Sequence, residues 1–72
     1  QASEGLPHEA LSDREFQVLT IIAQGKTVRE TAQELSLSVK TVSTYRSRLL
    51  EKLGLSNTAE MVAYAIRNRL AE

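Results

Sequence analysis

Residues 27–53, TVRETAQELSLSVKTVSTYRSRLLEKL, hold two helix signals with almost no chain between them. Thr27 followed three residues on by Glu30 forms a capping box, in which each side chain accepts the other residue's free backbone N–H. It opens a short helix to Leu35, with Ala32 and Leu35 inward. Ser38 is the next N-cap, so Ser36 and Leu37 are all that remains for the turn. A link that short predicts two helices held at a fixed, steep angle.

On the second helix, residues 39–53, Val42, Tyr45, Leu49 and Leu53 make one apolar stripe. Advancing about 100° per residue places Lys40, Thr44, Ser47 and Glu51 on the opposite side, with Ser43 and Arg48 at its flanks. A solvated surface helix would favour Ala, Glu, Lys or Gln over Ser43, Thr44 and Ser47. Short hydroxyl side chains instead allow close approach to a groove, and Arg46, Arg48 and Lys52 are long enough to reach flanking phosphates. This is the layout of a helix-turn-helix, whose first helix braces on phosphate while the second enters the DNA major groove. Tyr45 serves either the core or, through its hydroxyl, a phosphate.

The flanking segments complete a four-helix, all-α domain over residues 11–72, preceded by a linker or lead-in at residues 1–10 that carries Gly5, Pro7 and a solvated His8. Ser12 with Glu15 is a further capping box, and Asp13 favours the positive helix start. Phe16, Leu19, Ile22 and Ala23 recur at helical spacing, and Gly25 supplies the left-handed end. After Gly54, a last helix is expected from Asn57 or Thr58 to Leu70, with Val62, Ala65, Ile66 and Leu70 inward. Residues 61–66 are apolar nearly all round, more than one core face requires, so Ala63, Tyr64 and Arg67 are candidates for a dimer surface.

Composition narrows the function classes. A chain of 72 residues allows one domain, and at this size roughly 60% of the unfolded surface is buried. The absence of cysteine excludes disulfides and a thiolate zinc site. One His in the lead-in, no paired carboxylates on a shared inward face and no Gly-rich phosphate loop argue against catalysis, a cofactor or a metal. No apolar run approaches the roughly 18 residues of a membrane span and no signal peptide is evident, so a soluble, cytoplasmic protein is expected. The first residue, Gln1, suggests a piece of a longer protein and an upstream domain.

Nine basic and nine acidic residues leave no net charge, where nucleic-acid binders usually show a basic excess. The charge is polarised, however. Lys40, Arg46, Arg48 and Lys52 face only Glu51 within residues 40–52, a local +3, while Glu4, Glu9, Asp13 and Glu15 gather at the start. One basic face with modest non-specific affinity is expected.

Leu11, Ser12, Asp13, Arg14, Glu15, Val18, Leu19 and Gly25, then Glu30, Ala32, Leu35, Leu37, Ser38, Lys40, Thr41, Val42, Lys52 and Leu53, resemble the LuxR-type (GerE-like) DNA-binding domain of NarL/FixJ response regulators and quorum-sensing activators. The resemblance covers residues 11–70. It implies a recognition helix at 39–53, base-facing Lys40, Ser43, Thr44 and Ser47, and phosphate contacts from Thr27, Thr41, Tyr45, Arg46, Arg48 and Lys52. It also implies double-stranded DNA as partner, a homodimer through the last helix, an N-terminal receiver domain phosphorylated by a sensor kinase, and RNA polymerase as a further candidate partner. A ligand-sensing activator, or a protein-interaction module of the same fold, is the alternative. Four positions depart from the family's habit: Val28 often stands as Asn, Thr31 as Ile, Tyr45 as His and Thr58 as Arg. Thr31 fits a core position when its hydroxyl bonds back to the helix backbone.

Overall fold

The computed structural model describes residues 10–70, which form α1 (Asp13–Ala23), α2 (Val28–Leu35), α3 (Val39–Leu53) and α4 (Thr58–Arg67), with no strand among the described residues. Gly5, Pro7 and His8 of the lead-in lie outside them.

Each helix starts on a side-chain cap. Ser12 Oγ accepts the Glu15 N–H at 3.2 Å while Glu15 Oε1 accepts the Ser12 N–H at 2.9 Å. Thr27 and Glu30 repeat the exchange at 3.0 and 2.9 Å. Ser38 Oγ accepts the Thr41 N–H, and Asn57 Oδ1 the Glu60 N–H. These bonds satisfy backbone donors that a helix start otherwise leaves open.

Three of the helix ends close in one way. Ser36 (φ 58°), Gly54 (φ 71°) and Arg69 (φ 59°) turn left-handed, and the leucine after each donates its N–H five residues back: Leu37 to Ala32, Leu55 to Leu50 and Leu70 to Ala65, at 2.8, 2.9 and 2.7 Å. All three leucines then pack on the core, as expected when a left-handed cap is sealed by an apolar contact. This corrects the expected end of the last helix. α4 stops at Arg67, and Arg69 folds Leu70 back under it. Gly25 (φ 98°) ends α1 as the sequence predicts.

α1 lies at the centre, packing on α2, α3 and α4, while α2 packs on α3. The core joins Val18, Leu19, Ile22 and Ala23 to Ala32, to Val42, Leu49, Leu50 and Leu53, and to Met61, Tyr64 and Ala65. Burying side chains of this kind contributes about 1.5–3 kcal/mol each for the larger ones. Thr31 is fully buried, and its Oγ1 donates to the Thr27 carbonyl at 2.8 Å, so the hydroxyl enters the core satisfied.

The inward face of α4 is turned relative to expectation. Met61, Tyr64 and Ala65 are buried, Val62 is half-buried, and Ile66 is 61% exposed. Two corrections follow: Ile66 is not a core residue, and Tyr64 is not part of a free surface. Periodicity does not fix the rotation of a helix that is apolar nearly all round. Here the larger surfaces of Met61 and Tyr64 take the core, and Thr58 and Asn68 line up with them through hydrogen bonds to Arg46 and to the Tyr64 carbonyl.

Candidate nucleic-acid interface

The two-residue turn at Ser36 and Leu37 delivers α3 with its polar side outward. Lys40, Ser43, Thr44, Ser47, Arg48 and Glu51 are all exposed, whereas Val42, Leu49, Leu50 and Leu53 are buried. The six outward residues were those read from helical rotation; Leu50 joins the core in addition to the expected stripe. Tyr45 is half-buried against the core.

The hydrogen-bond state of each side chain decides what it can offer a ligand. Lys40, Ser43, Ser47 and Arg48 make no side-chain hydrogen bond among the described residues. Thr44 donates its hydroxyl to the Lys40 carbonyl at 3.1 Å, which leaves its oxygen as an acceptor and its methyl for apolar contact. Thr27 is exposed at the start of α2, and its hydroxyl oxygen accepts the Glu30 N–H while its proton remains a donor. Thr41 is half-buried and accepts from the Ser38 hydroxyl at 2.9 Å.

Two of the four cations counted on this segment have partners within the fold. Arg46 donates from Nε and Nη2 to Thr58 Oγ1, at 2.9 and 2.6 Å, tying α3 to α4. Lys52 Nζ lies 2.8 Å from Oε1 of Glu15, whose side chain is almost wholly buried. The Lys52 hydrogen bond, then the Ser12 backbone N–H, hold the Glu15 carboxyl below its ordinary value against the opposing effect of burial. Lys40 and Arg48 are therefore the cations that the 40–52 segment leaves unengaged. Thr58 accepts from Arg46; a second guanidinium in its place would oppose it.

Arg29 is a cation that sequence reading passed over. It is exposed in the first turn of α2, beside Thr27, and has no side-chain partner among the described residues. Its neighbour Lys26 is paired with Glu34 at 2.6 Å, which raises the ammonium's pKa. The signal available was its position two residues after the Thr27 cap, in the first turn of α2.

Over residues 10–70 nine cations face six acids, and the remaining acids, Glu4, Glu9 and Glu72, fall outside the described residues. α1, α2 and α4 each carry an acid in the first turn, and α3 carries none. The positive end of α3 is thus free of the carboxylates that usually compensate it. Among the described residues no group of three or more His, Cys, Asp or Glu could hold a metal ion, and no helix is long and apolar enough to cross a membrane.

The chain is similar to known regulatory proteins. Residues 9–65 match the family described as bacterial regulatory proteins, luxR family. The chain is 45% identical over 65 residues to the transcriptional regulatory protein LiaR of Bacillus subtilis (strain 168), covering 90% of this chain and 31% of that protein. It is 41% identical over 66 residues to the oxygen regulatory protein NreC of Staphylococcus aureus (strain JH9), covering 92% of this chain and 30% of that protein. The chain thus spans about a third of the length of these relatives. With the match extending from before α1 into α4 and the tight turn placing an exposed polar α3 at the surface, the chain belongs to the luxR family of bacterial regulatory proteins and is a helix-turn-helix DNA-binding domain of that family.

Proposed function

We propose that this domain is the DNA-reading output module of a response regulator, and that α3 is its recognition helix in the major groove. The observation that carries the reading is the exposed polar face of α3: Lys40, Ser43, Thr44 and Ser47 meet base edges, and none of them bonds to another element of the fold, Thr44 donating only to the Lys40 carbonyl of its own helix. Arg48, Thr27, Thr41 and the Tyr45 hydroxyl contact phosphate, with Arg29 added to that set. Arg46 and Lys52 act mainly inside the domain, since a move to phosphate would cost Thr58 and Glu15 their partners.

Two copies pair on DNA through α4. With Tyr64 in the core, the pairing surface is Ala63, Ile66 and Arg67, in which the exposed Ile66 supplies the apolar centre. The relatives are about three times as long as this chain, which suits an N-terminal receiver domain phosphorylated by a sensor kinase, acting in the cytoplasm on double-stranded DNA and RNA polymerase.

An amide-shift NMR titration with a mixed-sequence duplex at two salt concentrations tests the reading. The expected result is salt-sensitive shifts at Thr27, Arg29 and residues 40–48, because phosphate contacts release counterions, with Ala63, Ile66 and Arg67 shifting only together with them as copies pair on the duplex. Salt-insensitive shifts on Ala63, Ile66 and Arg67 with none at residues 40–48 would overturn it in favour of a protein partner.

A further inference from the structure

Val39, the first residue of α3, is 45% exposed, and it and Ile66 are the two large apolar side chains left exposed among the described residues. Nothing in the fold calls for a valine there. The first turn of a helix favours Asp or Glu, and the other three helices have one. Valine is also a weaker helix former than most alternatives. The position is costly for the isolated domain and has no structural return.

Its neighbours give it a use. Val39, Ser43 and Ser47 are spaced four apart and form one row on α3; Lys40 and Thr44 form the adjacent row. All five are exposed. Together they make a continuous patch with an apolar end at the tip of the helix and short hydroxyls behind it. A helix that enters the major groove leads with its N-terminal residues, and Ser43 and Ser47 are small enough to let that tip seat deeply.

We propose that Val39 is a fifth reading residue, packing on the C5 methyl group of a thymine; this inference rests on the placement of α3 in the groove argued above. Thymine alone among the four bases shows a methyl group on its major-groove edge. Valine carries only methyl groups to meet it and can neither donate nor accept a hydrogen bond. Against the amino group of cytosine or O6 of guanine the same side chain would strip a polar atom of water without replacing the bond. Val39 therefore favours thymine and disfavours G·C at one base pair of each half-site.

The test removes the methyl group and leaves the base pairing intact. Preferred sites are selected by the chain from a pool of duplexes with a randomised centre, and each thymine of the selected site is then replaced singly by deoxyuridine. Affinities are measured by fluorescence anisotropy for the chain, for Val39→Ala and for Lys40→Ala. At one thymine per half-site the replacement should weaken the unaltered chain about three- to fivefold, the order expected for one methyl group returned to water. Val39→Ala should lose nothing further at that position. Deoxyuridine effects of equal size in the chain and in Val39→Ala at every position would overturn the proposal while leaving the groove placement intact, provided Lys40→Ala still weakens the selected site. No selected site at all, or a Lys40→Ala variant that binds it unchanged, would overturn both. Val39→Ala should keep the helix content of the parent and a thermal midpoint no lower than its own, since alanine is the better helix former.

Discussion

The ammonium of Lys52, in the last turn of α3, sits 2.8 Å from Oε1 of Glu15, in the first turn of α1, thirty-seven residues earlier in the chain. The same carboxylate oxygen accepts the Ser12 N–H, so one buried side chain both caps α1 and fastens α3 to it. Lys52→Met should therefore cost about 1–2 kcal/mol, since it leaves a buried carboxylate without its cation while the capping bond survives. Thermal unfolding of the two proteins at pH 7 measures this.

The same pair sets an acid limit. The Glu15 carboxyl titrates below its ordinary 4.5 in the folded chain, so it contributes stability above the unfolded value that is lost as pH falls through the folded one. The drop in thermal midpoint between pH 7 and pH 3 should be smaller in Lys52→Met than in the parent. An unchanged drop would show that Glu15 titrates independently of Lys52.

Ser36→Gly should stabilise the domain by about 0.5–1 kcal/mol, because a non-glycine residue in the left-handed region is strained. Gly54→Ala should destabilise it by about 1 kcal/mol from the same backbone cause, as a Cβ there meets nothing within 4 Å. Both are read from denaturant midpoints at constant slope. Opposite signs at two positions of like geometry would confirm that the left-handed turn, and not packing, governs each.

For DNA, Lys40→Ala and Thr44→Ala should each cost roughly 1–3 kcal/mol on a preferred site and little on random sequence, while Arg48→Ala should weaken all sequences alike and flatten the salt dependence. Anisotropy titrations at two salt concentrations separate these. Equal losses on specific and random duplexes for all three would remove the base-reading role from α3.

Ile66→Glu should leave the fold intact, since the side chain is 61% exposed, and should abolish cooperative binding to a paired site without changing affinity for a single half-site. A quantitative gel-shift on one-site and two-site duplexes distinguishes the two effects. Cooperative binding by the variant would displace the pairing surface from α4.

What could be read beforehand follows the reach of each interaction. Ser12 with Glu15 and Thr27 with Glu30 act over three residues, so sequence spacing alone revealed them, and with them the starts of α1 and α2. The outward arc of α3 was legible because its apolar and polar residues segregate at helical period. α4 was not, because residues 61–66 carry no polar position to define an outside, and only tertiary packing chooses Met61 and Tyr64 over Ile66. Arg46 and Lys52 looked like free cations because their partners lie twelve and thirty-seven residues away. The left-handed Arg69 that shortens α4 is an unusual residue for that geometry and gave no signal.

The bond between Arg46 and Thr58 has a consequence for how far apart two half-sites can stand. α4 takes its main packing from α1, so this polar latch is a direct brace between α3, proposed to read DNA, and α4, proposed to pair two copies. In a dimer joined along α4, two such braces would turn the pair into calipers of fixed opening. Operators with an added or missing base pair between half-sites would then be rejected by the span of the instrument, even where every base is correct.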